Sequence, residues 1–283
     1  ALKYAAEHQT VSMAELAVVY ETRLGSADRT DLEQEMLHVL RAMERSMTPP
    51  PADDPVPNYL VPRQAAELDD KMPLDMGVLN GCMRNAMAVM ENGCAHRVVV
   101  AAPTAGSSGV IPASVVGVGR TLGRTEGEIL DALWAAGLVG AFIANQATFG
   151  AEVAGCQAEI GAASCMAAAG VVQLLGGSVE EGFHAAALAM QSLLGLICDP
   201  VAGLVEFPCI QRNVTASVMA AAAANMAMKG VRSPIPLDET IKAMLDVGQA
   251  LPASLRCTCE GGLCATPTGR QLALQAVKCK ARK

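Results

Sequence analysis

Residues 132–151 (ALWAAGLVGAFIANQATFGA) run for twenty positions without a charge, and half of those positions are alanine or glycine. Residues 214–228 nearly repeat the pattern. Such a segment either crosses a membrane or forms a core helix that its neighbours approach closely. Alanine and glycine enter lipid less readily than leucine, isoleucine or phenylalanine. Asn145 and Gln146 interrupt the first segment, and no flanking belt of Lys, Arg, Trp or Tyr frames it. The expectation is a group of small-residue helices buried around one centre, with no membrane partner.

The rest of the composition agrees. Hydrophobic residues make up 52% of the 283-residue chain but aromatics only 3%, too few to furnish the pleated faces of a sandwich or barrel. Charged residues at 17% leave enough apolar surface for a sizeable core, which excludes disorder for most of the length. Helix-start signals recur as Ser/Thr followed three residues later by Glu: Ser12 with Glu15, Thr30 with Glu33, Thr125 with Glu128 and Ser178 with Glu181. Residues 238–250 read as a further amphipathic helix after Pro236. No alternating Val/Ile/Thr segment competes, so the fold class is all-α, an Ala/Gly-rich helical bundle.

Six prolines in residues 48–62 (TPPPADDPVPNYLVP) forbid helix there, since each removes an amide and restricts the residue before it. The expected organisation is an N-terminal helical pair (1–47), a Pro-rich linker (48–69), one helical body (70–275) and a basic tail (276–283). The formal charge of −7 with no basic stripe outside that tail gives nucleic acid nothing to bind. No charged-then-apolar leader is visible from Ala1, so a cytoplasmic chain is expected.

Ten cysteines are more than packing usually requires, although most lie among Ala, Gly, Leu and Met, where Cys passes as a small buried hydrophobe. Three regions break the helical monotony. The first, AAPTAGSSGVIP (101–112), places Thr104, Gly106, Ser107 and Ser108 between two prolines. It reads equally as a loop between helices or as an amide cradle for an anion, and matches neither a P-loop nor a dinucleotide fingerprint. The second is GCQAEIGAAS (155–164), with Cys156. In the third, LGLICDPVAGLVEFPCIQRN (194–213), Cys198 and Cys209 stand eleven residues apart across two prolines and a glycine. Such a loop can aim both thiolates at one point, with Cys156 arriving from another helix end. No zinc-type or ferredoxin-type cysteine spacing is present, and Cys257, Cys259 and Cys264 are too tightly and irregularly spaced for one.

These three segments, with GGLCATPTG (261–269) and SMAELAVVYE (12–21), resemble the α chain of iron–sulfur-dependent L-serine dehydratase (L-serine ammonia-lyase), in the family's order and over nearly the whole chain. The resemblance implies an oxygen-sensitive 4Fe–4S cluster held by three cysteines, here Cys156, Cys198 and Cys209. Three protein ligands leave one iron open, as a hydro-lyase needs, whereas an electron-transfer cluster is normally closed by four. It further implies that the open iron acts as a Lewis acid on serine's β-hydroxyl, that Thr104, Gly106, Ser107 and Ser108 help seat L-serine, and that pyruvate and ammonia are released. This is the chemistry of amino-acid degradation and of supply to gluconeogenesis. A β chain, or a β region in fused members, completes the site, so a β partner and an oligomer are expected.

The proton-abstracting group is not identified, because His8, His38, His96 and His184 lie outside the three regions. Pyridoxal phosphate is not expected: none of the seven lysines (3, 71, 229, 242, 278, 280 and 283) lies beside the 103–112 loop or the three cysteine positions. Many family members carry Glu-His-Asn where this chain reads Gln191-Ser192-Leu193, which bears on the choice between serine, threonine, another 3-hydroxy amino acid or cysteine. That change and the lack of a β region in this sequence are the only support for a noncatalytic cluster-bearing subunit, and intact Cys156, Cys198 and Cys209 argue against it. Cys257, Cys259 and Cys264 replace residues commonly Thr or Ala and are expected, like Cys165, to be buried packing residues. Cys279 in the tail is unassigned.

Overall fold

The computed structural model describes residues 11–24, 28–51, 53–54, 60–68 and 71–280, without the side chains of Leu24 and residues 278–280. The Cys279 thiol and residues 281–283 of the basic tail therefore lie outside the described residues, as does the start of the N-terminal segment. The architecture is all-α. Eleven α-helices are described: α1 (Met13–Leu24), α2 (Arg29–Ser46), α3 (Val78–Cys94), α4 (Val118–Thr121), α5 (Glu126–Gln146), α6 (Ala151–Ala154), α7 (Ala162–Leu174), α8 (Val179–Gln191), α9 (Cys209–Met228), α10 (Leu237–Ala250) and α11 (Pro267–Lys280). Extended pairing among the described residues is limited to one parallel bridge between Cys198 and Arg256.

α7 forms the axis of the molecule. Its sequence, AASCMAAAGVVQL, has no polar face to offer water, and every residue but Gln173 is buried. α5, α8 and α9 pack around it, and α3 packs on the outer side of α9. α5 holds most of the uncharged 132–151 run. It is the one described helix long and apolar enough to cross a membrane, and half of that stretch is buried inside the fold. α1 lays Met13, Leu16, Ala17 and Val18 into the same core, beside α5. The Ser164 hydroxyl of α7 donates to the Ala216 carbonyl of α9 at 3.0 Å, a contact that short side chains on both helices permit.

The capping boxes at Thr125/Glu128 and Ser178/Glu181 form in full, each hydroxyl accepting from the third amide and each carboxylate reaching back to the cap. Ser12 accepts from Glu15 N–H at 3.1 Å. The Thr30/Glu33 box does not form. Asp28 caps α2 instead, accepting from Asp31 N–H at 2.9 Å, so the helix starts at Arg29 and Glu33 pairs with the Arg29 guanidinium at 2.8 Å. The 101–112 stretch is likewise more helical than its prolines suggest. A 3₁₀ turn at Ala105–Ser107 leads into a helix that carries Pro112 at the head of a π-helical turn, Pro112–Gly117.

Candidate metal centre

The second sequence region turns sharply between α6 and α7. Gly155 has φ +72°, and a side chain there would meet the Leu196 carbonyl and Leu251 Cδ1, each at 2.8 Å. Only glycine serves at that point. Cys156 follows at the head of a π-helical turn, Gln157–Gly161, a feature often found at functional sites. Gln157 is fully buried and clasps the approach to the third region: its backbone N–H donates to Leu196 O at 3.1 Å, and its side-chain oxygen accepts from Gly195 N–H at 2.9 Å. This clasp brings Cys198 to Cys156.

Ligand atoms of Cys156, Cys198 and Glu159 lie within 4.8 Å of one another. Both cysteines are buried, and all nine described cysteines are free thiols. The Cys198 and Cys156 sulfurs lie within 4.8 Å of one another. The neighbouring Cys198 thiol, with help from the Arg212 guanidinium, holds Cys156 below the ordinary thiol range despite its burial. The Cys156 sulfur, together with burial, holds Cys198 well above it. Of the two thiols, Cys156 is the more readily ionised.

Arg212 is the cation of the site. It donates to the Ile197 carbonyl at 3.0 Å and to Asp199 Oδ1 at 2.8 Å, and it also reaches the Cys156 sulfur. Burial acts to lower its pKa, but the Cys156 and Asp199 charges outweigh that and raise it. Asp199 in turn accepts from Leu263 N–H at 2.7 Å through its other oxygen. Gly262 makes this possible: at φ +61°, a Cβ there would lie 2.3 Å from Asp199 Oδ2. The 261–269 segment is thereby pinned to the third region.

The first region closes the other side. Asn213, fully buried on α9, accepts from Gly109 N–H at 2.9 Å and donates to Gly106 O and to Cys209 O, both at 2.8 Å. Gly106 lies over the Glu159 carboxylate, where a Cβ would be 3.1 Å from Oε2, and the Thr104 hydroxyl sits beside the same carboxylate. Burial raises the Glu159 pKa, Glu152 adds to the rise, and the Thr104 hydroxyl opposes it.

The four loop residues singled out from the sequence thus divide. Thr104 and Gly106 touch the carboxylate beside the thiols. Ser107 caps its own turn, with Oγ 3.1 Å from Thr104 Oγ1, and Ser108 donates to Met90 Sδ at 3.4 Å. Ser108 also lines a pocket of about 250 Å³ with Met90, Cys94, Val205 and Glu206.

Cys209 opens α9 and is buried against Met90 and Ile210. It stands outside the 4.8 Å group, yet near enough that Cys156 and Glu159, with burial as the leading cause, push its thiol well up. Cys165 and Cys264 are buried as expected. Cys257 and Cys259 are not: both are exposed, at φ +63° and +60°, because residues 257–261 run as surface bends between the Arg256 bridge and the 3₁₀ turn Gly262–Ala265 rather than as a packed element. Gln191 donates to Ser233 Oγ at 2.8 Å and Thr240 Oγ1 at 3.0 Å, so the departure at 191–193 places a polar group that ties α8 to the start of α10. His184 accepts from Ser233 N–H at 3.2 Å, in keeping with a structural histidine.

The family model described as serine dehydratase alpha chain matches residues 7–264. The chain belongs to the serine dehydratase alpha-chain family. Similar proteins include a probable L-serine dehydratase alpha chain of Bacillus subtilis, 37% identical over 94% of this chain and 90% of that one. A probable L-serine dehydratase alpha chain of Latilactobacillus sakei is 45% identical over 68% of this chain and 92% of its own length. Against L-serine dehydratase 1 of Escherichia coli, identity is 39% over 89% of this chain but only 58% of that longer protein.

Glu159, Asp199, Arg212 and Asn213 were not singled out as site residues from the sequence, although each lies inside a segment that carries the serine dehydratase resemblance. A usable signal was the spacing. Cys156 and Glu159 are three residues apart, and Cys209 is followed at three and four residues by Arg212 and Asn213, the separations that share a helix face.

Proposed function

We propose that this chain is the α chain of an L-serine dehydratase, a lyase that removes water from L-serine to give pyruvate and ammonia. We further propose that Cys156, Cys198 and Cys209 hold a 4Fe–4S cluster. The observation that carries the reading is the convergence of two buried, neighbouring thiols and Glu159 from segments far apart in sequence, in a chain of the serine dehydratase family. The donor set fits such a group. Buried thiolate sulfur suits iron–sulfur ligation, Cys156 is held toward its anionic form, and Cys209, outside the 4.8 Å group, is near enough to feel the Cys156 charge. When bound, a cluster with three protein thiolates supplies a Lewis-acidic iron that can polarise the substrate's β-hydroxyl.

The chain's own residues contribute orientation and charge. Arg212, fixed by Ile197 O and Asp199, balances the anionic sulfur of Cys156 and sets its direction. Asn213 holds the 106–109 backbone against the start of α9, and Thr104 fixes the Glu159 carboxylate. The half-buried Thr104 hydroxyl and the exposed Ala105 beside it can then seat a small amino acid with its reacting carbons toward the thiols. Loss of the α-proton and the β-hydroxide gives aminoacrylate, which tautomerises and hydrolyses to pyruvate and ammonia. The base that takes the α-proton is assigned to a β chain, since no described histidine approaches the Cys156–Cys198 pair and the longer Escherichia coli relative extends beyond the region matched here.

The decisive experiment is anaerobic co-purification with a β chain, iron and sulfide analysis, and a pyruvate assay with L-serine, L-threonine and L-cysteine in parallel. Cluster-level iron and serine-dependent pyruvate are expected, with both lost in Cys198→Ser. A cluster-loaded complex that turns over none of the three amino acids refutes the enzymatic reading. Full iron retention in Cys198→Ser refutes the ligand assignment.

A further inference from the structure

The Cys198 sulfur has a second neighbour. Cys257 N–H donates to Cys198 O at 2.7 Å, while Cys198 N–H donates to Leu255 O at 2.9 Å. The two segments are thus held in parallel register, which sets Cys257 beside Cys198, close enough for the two thiols to interact. Cys156, Cys198 and Cys257 consequently form a row of sulfurs running from the buried interior to the surface, with Cys198 in the middle and Cys257 exposed. Cys257 is held at φ +63°, a conformation that a non-glycine residue adopts only when its surroundings dictate it.

From this arrangement we infer that Cys198 and Cys257 are a thiol–disulfide pair, formed when the chain lacks its metal centre and is exposed to a low-molecular-weight disulfide. The inference rests on the proposed function only for its consequence, the withdrawal of Cys198 from metal binding. The steps balance. The exposed Cys257 gives up its proton as its sulfur attacks the small disulfide RSSR, forming a mixed disulfide and releasing one RSH. Cys198 gives up its proton in turn as its sulfur attacks the Cys257 sulfur, and the second RS group leaves as RSH. Two protein thiols are oxidised, one RSSR is reduced to two RSH, and the two thiol protons end on the released small thiols. Cys156 and Cys198 also touch, but both are buried, so the reagent gains entry through Cys257. A closed disulfide would keep Cys198 from irreversible oxidation and return it when a reducing thiol reopens the bond.

The test uses the full-length chain freed of iron by a chelator under anaerobic conditions, then incubated with oxidised glutathione. After alkylation of free thiols, peptide mapping is expected to show a Cys198–Cys257 cross-link. Iron uptake on reconstitution should fall several-fold and recover after dithiothreitol. Cys257→Ser should show no cross-link to Cys198 and should keep most of its iron uptake after the same oxidation. A cross-link confined to Cys259–Cys264, a Cys257 that stops at the mixed glutathione disulfide, or equal loss of uptake in Cys257→Ser would each overturn the inference. If the reduced chain takes up no iron but the cross-link forms, the metal-centre reading fails while the disulfide assignment stands.

Discussion

Asn213 offers the sharpest test of how the site is held together. One fully buried carboxamide serves three backbone groups: the Gly109 amide at 2.9 Å and the Gly106 and Cys209 carbonyls at 2.8 Å. Asn213→Ala removes all three bonds. The Cys209 carbonyl also accepts the ordinary helical bond within α9, so its loss is minor. The two bonds to the 106–109 loop contribute roughly 1 kcal/mol each, and a buried Gly109 amide left without a partner costs about 1–3 kcal/mol instead of its share. The expected destabilisation is therefore about 2–4 kcal/mol, read as a lower urea midpoint with an unchanged slope. Asn213→Asp sharpens the logic. Its carboxylate can still accept from Gly109, but it presents an oxygen to the two carbonyls that now receive an N–H. The protonated acid can donate where the carboxylate cannot, so its folded-state pKa must lie above the unfolded value. The native state then binds the extra proton, and stability falls as pH rises. Asn213→Asp should be no more stable than Asn213→Ala at neutral pH and should recover toward acid. A loss below about 1 kcal/mol for Asn213→Ala, or a pH-independent Asn213→Asp, would refute the claim that this side chain anchors the loop.

Two further substitutions probe the surrounding scaffold. Gly262→Ala combines a left-handed backbone that costs a side chain about 1–2 kcal/mol with a Cβ only 2.3 Å from Asp199 Oδ2, so Asp199 must leave Leu263 N–H, Arg212 or both. The anaerobic urea midpoint should drop by the equivalent of at least about 2 kcal/mol, and iron retention should fall with it; wild-type values for both would contradict the proposed linkage. Glu91 is buried and accepts from the Gln64 and Ala65 amides at 2.6 and 3.0 Å, yet burial still raises its pKa above 4.5. A carboxyl raised on folding contributes stability that is complete below its unfolded pKa and is lost as pH rises through the folded value. Glu91→Gln keeps an acceptor for both amides without the charge, so urea midpoints measured across that window should flatten relative to wild type; an unchanged slope would rule Glu91 out as the source.

The helices were legible because their signals are local. α7 has no polar face, and the boxes at Thr125 and Ser178 use only neighbours three residues away. The start of α2 was misplaced by the same reasoning, since Thr30 with Glu33 and Asp28 with Asp31 offer competing local caps and only the chain's path selects between them. The cysteines show the limit more clearly. Cys156, Cys198 and Cys209 stood out through family resemblance, but nothing near them in sequence announces that Arg212 reaches Cys156 or that Leu263 N–H holds Asp199. Those contacts span 56 and 64 residues and depend on how α9 and the 261–269 turn pack. The exposure of Cys257 and Cys259 was missed for a related reason. Their neighbours in the sequence do not reveal that residues 257–261 lie on the surface as bends, with the Cys257 amide bonded to Cys198 O in place of a hydrophobic environment.

The electrostatics of the centre explain why these long-range contacts have to exist. Cys156, Asp199 and Glu159 bring three acidic groups toward one cation, Arg212, in a place that water scarcely reaches. In such surroundings an unpaired charge is expensive: burial raises Glu159, the Cys156 sulfur and burial raise Cys198, whereas Cys156, beside Cys198 and within reach of the guanidinium, is lowered. The site is thus short of positive charge and rich in soft sulfur donors. A cationic, thiophilic group entering it would displace the Cys198 proton and relieve the imbalance, so its binding must be coupled to proton release and weaken as pH falls. Replacing Arg212 by a neutral residue would deepen the deficit and unseat Asp199 together. For that reason the guanidinium, which ties the Ile197 carbonyl, Asp199 and Cys156 to one rigid fork, is the group on which the geometry of the centre turns.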